Sequence, residues 1–112
     1  MKILGIGVDL IENKRIHNLI KNKDFIKRIF SEKEIKLSKK NSNKTNYFAK
    51  RFAAKESFAK SIGSGFRNNL NFKDIQIFND KIGKPYYFKS KKVNFIISKK
   101  FKITEFDLFL SI

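Results

Sequence analysis

The stretch from Tyr47 to Gly65, YFAKRFAAKESFAKSIGSG, constrains the fold more than any other part of the chain. Its alanine content predicts a helix, and Gly63 and Gly65 supply the stop. At about 100° per residue, Lys50, Ser57 and Ser61 gather on a solvent side, while Phe48, Ala49, Phe52, Ala53, Ala59 and Ile62 spread over an apolar arc. Glu56 and Lys60 fall inside that arc, beside Ala49 and Ala53, with Arg51 and Lys55 on its opposite flank. A carboxylate on a packing face costs several kcal/mol unless something positive compensates it. Two readings meet that demand. Glu56 and Lys60 pair with each other one turn apart, a contact worth a few tenths of a kcal/mol. Or Glu56 holds a cation, with Lys60 and Arg51 near an anion and a second carboxylate from elsewhere in the chain.

Before this helix, residues 3–11 (ILGIGVDLI) alternate as a strand, with Leu4, Ile6, Val8 and Leu10 on one face. The other face places Asp9 beside Gly5 and Gly7, where a ligand or a backbone can come close. Asp9 reads equally as a strand-end cap for the next helix. From Glu12 the pattern turns helical through Ile16, Leu19 and Ile20, and a short second helix carries Phe25, Ile26 and Ile29. Ser31 and Glu34 form a capping-box start for a third helix running to about Lys39, and Thr45 or Asn46 is expected to cap the central helix.

Beyond Gly65, four strands are expected: Phe72–Asn79, Tyr86–Phe88, Val93–Ser98 and Phe106–Ile112, with a turn at Asp80–Pro85. A strand, then helices, then strands, reads as one α+β domain over 1–112, with a mainly antiparallel sheet packed against a long central helix and shorter N-terminal helices. At 112 residues the chain supports a single core. It has no cysteine and one histidine, His17, which excludes disulfides, thiolate sites and multi-histidine metal centres. With no apolar run of membrane-spanning length and no signal-peptide cleavage site, the expected location is the cytoplasm.

The net charge of +16 attracts an anionic partner without naming it. Lysine spread along every element, among many Asn, Ile and Phe, looks like a residue bias rather than the clustered stripe of a nucleic-acid binder. Among the ten acidic residues, Asp9 and Glu56 stand out. The rest read as helix starts, turns or exposed positions. Two carboxylates with phosphate oxygens and waters are the usual protein share of a magnesium site, and Lys60 would then face the phosphates.

GIGVDLIENKRI at 5–16 and RFAAKESFAKSIGSG at 51–65 together resemble the small bacterial holo-(acyl-carrier-protein) synthases of the 4′-phosphopantetheinyl transferase family. The resemblance runs the length of the chain and includes the Gly83-Lys84-Pro85 turn. It implies magnesium-dependent transfer of 4′-phosphopantetheine from coenzyme A to a serine of apo-acyl carrier protein, in support of fatty acid biosynthesis, with release of adenosine 3′,5′-bisphosphate. It assigns the metal to Asp9 and Glu56 and a phosphate to Lys60. Arg51, Gly63, Ser64, Gly65, Lys84 and Pro85 are assigned to the surroundings of the nucleotide. Lys14, Arg15, Lys21 and Arg28 are assigned to the surface that receives the acidic carrier protein, and a homotrimer with inter-subunit sites is implied. Where the family has Ser-x-Ser/Thr-His on a late strand, Ile96-Ile97-Ser98-Lys99 is matched, so Lys99 stands for the histidine. That departure motivates one alternative, a carrier-protein-binding homologue with reduced or lost transfer. A basic nucleic-acid-binding domain is the other, and it leaves Asp9 and Glu56 unexplained.

Overall fold

The computed structural model describes residues 13–63 and 70–110. Three short helices, α1 (Asn13–Leu19), α2 (Lys23–Ile29) and α3 (Glu32–Ser38), lead into the long α4 (Lys44–Ser61). A 3-10 turn at Phe72–Asp74 precedes a two-stranded antiparallel sheet, β1 (Ile77–Asn79) with β2 (Pro85–Tyr87), and α5 (Lys91–Phe101) follows. The fold is α+β, as expected, with less strand than expected among the described residues.

The short helices start where their caps dictate. The Asn22 side chain accepts from the Asp24 and Phe25 amides ahead of α2. The capping box of α3 is present in both directions: Ser31 Oγ accepts from the Glu34 amide at 3.2 Å, and Glu34 Oε1 accepts from the Ser31 amide at 3.0 Å. The cap of α4 is Asn43, not Thr45 or Asn46, so the helix begins earlier than the polar loop suggested. Asparagine is as good an N-cap as any residue, and Asn43 Oδ1 accepts from the Asn46 amide at 3.0 Å. The far end of α4 closes through Gly63 at φ +75°, a conformation that glycine adopts without a steric penalty.

One of the expected strands is shortened and another is replaced by a helix. Phe72–Asp74 forms the 3-10 turn, so β1 is confined to Ile77–Asn79. Val93–Ser98 lies inside α5. The β-branched run there suggests a strand, yet the buried Val93, Ile96 and Ile97 follow helical i, i+3, i+4 spacing. Ser90 caps the helix by accepting from the Val93 amide, and Lys102 ends it at φ +55°. Residues 106–110 keep the alternation of a strand, with Phe106, Leu108 and Leu110 packed on the core, but have no ladder partner among the described residues. The predicted strand at 3–11 lies outside the described residues.

The hairpin turn is as read. Asp80 Oδ1 accepts from the amides of Ile82 and Lys84, and Gly83 takes φ +85°. Pro85 sits at the first position of β2, opposite Asn79, where a missing N–H is tolerated.

Helix α4 lies between two cores. Its first half packs Tyr47, Phe48 and Ala49 against Ile16, Phe25, Ile29 and Phe30 of the short helices. Its second half packs Ala54, Phe58 and Ile62 against the sheet and α5. Between them Lys55 is wholly buried and donates to Glu34 Oε1 at 2.8 Å, to the Phe72 carbonyl at 2.8 Å and to the Ile75 carbonyl. The other Glu34 oxygen accepts from the Ile77 amide at 3.2 Å. Burial holds the Lys55 ammonium below the usual lysine range, and the adjacent Glu34 carboxylate opposes that shift.

The sequence reading placed Glu34 at a helix start and Lys55 on a flank of the helix; the structure buries both. Removing the carboxylate strands a charge, so Glu34→Ala is expected to cost about 3–5 kcal/mol in urea unfolding. Ser31→Ala removes one capping bond and is expected to cost about 1 kcal/mol. Equal losses would mean that the pair carries no special weight.

Candidate active site

The buried face of α4 centres on Arg51, Lys55, Phe58 and Ile62, turned from the expected arc toward the supposed flank. Arg51 and Lys55, expected on the flank of the arc, are both buried with partners. Glu56 and Lys60 therefore stand away from the core, Glu56 half-buried and Lys60 exposed, one turn or about 6 Å apart along the axis. The region beyond Lys60 is basic. Lys100 of α5 brings its Nζ to 3.9 Å from where a Cβ on Gly63 would sit. Sequence reasoning missed Lys100 because it placed that residue after a strand; the helical spacing of Val93, Ile96 and Ile97 was the available signal.

Arg51 does not join Lys60. The two lie nine positions apart, half a turn round the helix, and Arg51 is only 6% exposed. Its guanidinium stacks on the Tyr47 ring at 3.7 Å and donates to Asn79 Oδ1 at 3.2 Å, while its Nε is buried without a partner. Burial lowers its basicity, with Tyr47 opposing the shift. The Tyr47 hydroxyl donates to the Glu34 carbonyl at 2.7 Å, and burial raises its pKa. Arg51 thus braces β1 against α4. Through Asn79 it adjoins Pro85, which with the exposed Lys84 forms the β2 end of the hairpin.

Lys99 lies on α5, exposed, with its ammonium 5.9 Å from the Phe95 ring centre. It is not on a late strand, so its match to the family histidine fails, and the ground for expecting reduced activity falls with it. Lys14 and Arg15 on α1, Lys21 just after it and Arg28 on α2 are all exposed. His17 is also exposed, with Nδ1 3.0 Å from Thr45 Oγ1. Asp9, Ser64 and Gly65 lie outside the described residues. Among the described residues, no three His, Cys, Asp or Glu side chains gather around a metal-sized space. Of the assigned metal ligands the described part of the chain thus contributes only Glu56, a hard oxygen donor of the kind magnesium takes.

A family model described as the 4′-phosphopantetheinyl transferase superfamily matches residues 5–107. A holo-[acyl-carrier-protein] synthase of Pelagibacter ubique is 60% identical over 112 residues, covering 100% of this chain and 88% of the relative. The crystal structure of holo-[acyl-carrier-protein] synthase from Neisseria meningitidis superposes with a TM-score of 0.81 at 38% identity, over 88% of this chain and 81% of that one. The Helicobacter pylori holo-[acyl-carrier-protein] synthase, solved in complex with coenzyme A, gives a TM-score of 0.73 at 30% identity, over 83% and 80% of the two chains. A helix carrying RFAAKESFAK, with Glu56 and Lys60 turned from the core, is thus set in a fold shared with these enzymes, and the chain belongs to the holo-[acyl-carrier-protein] synthases of the 4′-phosphopantetheinyl transferase superfamily.

Proposed function

We propose that α4 carries the reaction centre for moving 4′-phosphopantetheine from coenzyme A to a serine of apo-acyl carrier protein, with magnesium held by Asp9 and Glu56. One observation carries the placement: Glu56 and Lys60 stand one turn apart on the side of α4 turned away from Lys55. The coenzyme A complex of the Helicobacter pylori relative supports coenzyme A as the donor.

Magnesium takes one or two carboxylates and completes its octahedron with phosphate oxygens and water, which suits Asp9 and Glu56. When bound, the ion offsets the charge that builds on the pyrophosphate oxygens. Lys60 donates to the same phosphates as a point charge. The carrier serine attacks phosphorus, the new Oγ–P bond forms, and the P–O bond to adenosine 3′,5′-bisphosphate breaks. The hydroxyl proton passes to a base within hydrogen-bond reach, either Glu56 or a water. Gly63, Ser64, Gly65, Lys84 and Pro85 are the residues that would surround the nucleotide.

The exposed cations Lys14, Arg15, Lys21 and Arg28 receive the acidic carrier protein, so the chain's charge needs no nucleic acid and no membrane to account for it. No helix among the described residues is long and apolar enough to cross a membrane, in keeping with work in the cytoplasm. The chain acts as a single domain and assembles as a homotrimer with sites between subunits; the exposed Ile82, Phe95 and Phe109 are apolar surface that neighbouring copies would cover.

Incubation of apo-acyl carrier protein with this chain, coenzyme A and magnesium is expected to add about 340 Da, one phosphopantetheine arm by atom counting, in intact-mass spectrometry. A chelator should remove the gain; an unchanged carrier protein would refute the transfer. Glu56→Ala is expected to abolish the gain while the protein stays folded by circular dichroism, and retained transfer would sink the metal role. Arg15→Glu should weaken carrier-protein binding and leave coenzyme A affinity unchanged. Equal loss of both would show that α1 is not a docking surface.

A further inference from the structure

Helix α4 buries three large apolar side chains, Tyr47, Phe48 and Phe58, and three small ones, Ala49, Ala54 and Ala59. The small side chains nearest Glu56 in the chain, Ala54 and Ala59, interlock little and add little to fixing the rotation there. Rotation matters at Glu56. On a helix of about 5–6 Å radius, a turn of about 20° carries a side-chain tip through about 2 Å. A metal ligand tolerates about 0.2 Å.

Directed bonds add to the packing of the aromatic side chains in setting the angle. His17 to Thr45, Arg51 to Asn79 and Tyr87 to the Ala54 carbonyl each tie α4 to one neighbour. Lys55 ties it to three places with one nitrogen: Glu34 of α3, the Phe72 carbonyl of the 3-10 turn and the Ile75 carbonyl just before β1. Glu34 is itself fixed by the Ser31 and Ile77 amides. Lys55 immediately precedes Glu56 in the chain, about 100° round the helix, so the backbone carries the anchor's geometry straight to the carboxylate.

We propose that Lys55, anchored on Glu34, is a positioning residue for Glu56: the buried pair sets the rotation of α4 that presents the carboxylate to its metal ion. This rests on the reading of Glu56 as a metal ligand. Burial of an ion pair adds little to stability over an apolar pair of the same volume, so its directional bonds are the property that such a replacement loses.

The test is binding of manganese(II) to the full chain with coenzyme A present, read from the electron paramagnetic resonance signal of the free ion. Glu34→Gln/Lys55→Met removes both buried charges together, and thermal unfolding checks that it is folded at the assay temperature. Its manganese affinity is expected to fall about tenfold, the usual effect of losing a group that orients a ligand. Lys55→Arg keeps the charge but not three bonds from one nitrogen, and it is expected to lose affinity to a smaller degree while remaining folded. Wild-type affinity in Lys55→Arg, or in a folded double variant, overturns the positioning role and leaves the pair as a fold element only. Glu56→Gln serves as the separate control. Wild-type manganese binding there overturns the metal reading, and the positioning role with it. Lost binding in Glu56→Gln alone would keep the metal reading and reject the anchor.

Discussion

The Lys55 ammonium is the point through which the described parts of the molecule are joined. It donates to α3, to the 3-10 turn and to the segment entering β1, and its carboxylate partner reaches the Ile77 amide beyond. A charge taken wholly out of water needs every one of those contacts, because desolvation costs several kcal/mol and a single ion pair does not repay it. The elements around α4 are thus constrained to arrive together. Glu34 serves in the same way twice over, closing the capping box of α3 and accepting from Lys55 with the same oxygen. Local helix initiation and long-range packing are tied at one atom.

That double duty explains which parts of the fold were legible from the residues. The capping box of Ser31 and Glu34, the short helices around Ile16 and Phe25, and the Asp80–Pro85 turn are local signals and the structure follows them. The burial of Glu34 and Lys55 is not a local property. Nothing within four residues of either tells that they meet across 21 positions. Lys55 was placed on a flank of the apolar arc of α4 and Glu34 at a helix start, and neither reading anticipates full burial. The error at α5 has a different cause. Val93, Phe95, Ile96 and Ile97 have strand-forming side chains, but that preference is weak and depends on packing. Only Val93, Ile96 and Ile97 reach the core, at helical spacing, while Phe95 is 66% exposed.

The candidate site was read from a different kind of signal. Glu56 and Lys60 drew notice as polar residues in an apolar arc, and the buried face is turned from that arc, so neither side chain lies at its centre: Lys60 is exposed and Glu56 half-buried at its edge. The RFAAKE-x-F-x-K pattern mixes two functions that spacing alone does not separate. Arg51, Phe58 and Lys55 belong to the scaffold, and Glu56 and Lys60 lie off it. Their alternation follows from 3.6 residues per turn, which puts Lys55 and Phe58 on one side and sends Glu56 and Lys60 to another.

Glu56 occupies the boundary between those sides, and the boundary is where an ion-binding carboxylate gains most. In full solvent its attraction for a cation is screened toward the bulk-water limit, about fourfold weaker than at the effective dielectric of a protein surface. In the core, beside Lys55, the same carboxylate would give its oxygens to protein donors, as Glu34 does to three, and would lie out of reach of an incoming ion. A half-buried position keeps part of the low-dielectric gain while leaving oxygens that a ligand can reach. Lys60, one turn on and exposed, pays little desolvation. One helix can thus carry a wholly buried ion pair and, on neighbouring turns, charged side chains nearer to solvent, and rotation about its own axis is what separates the two.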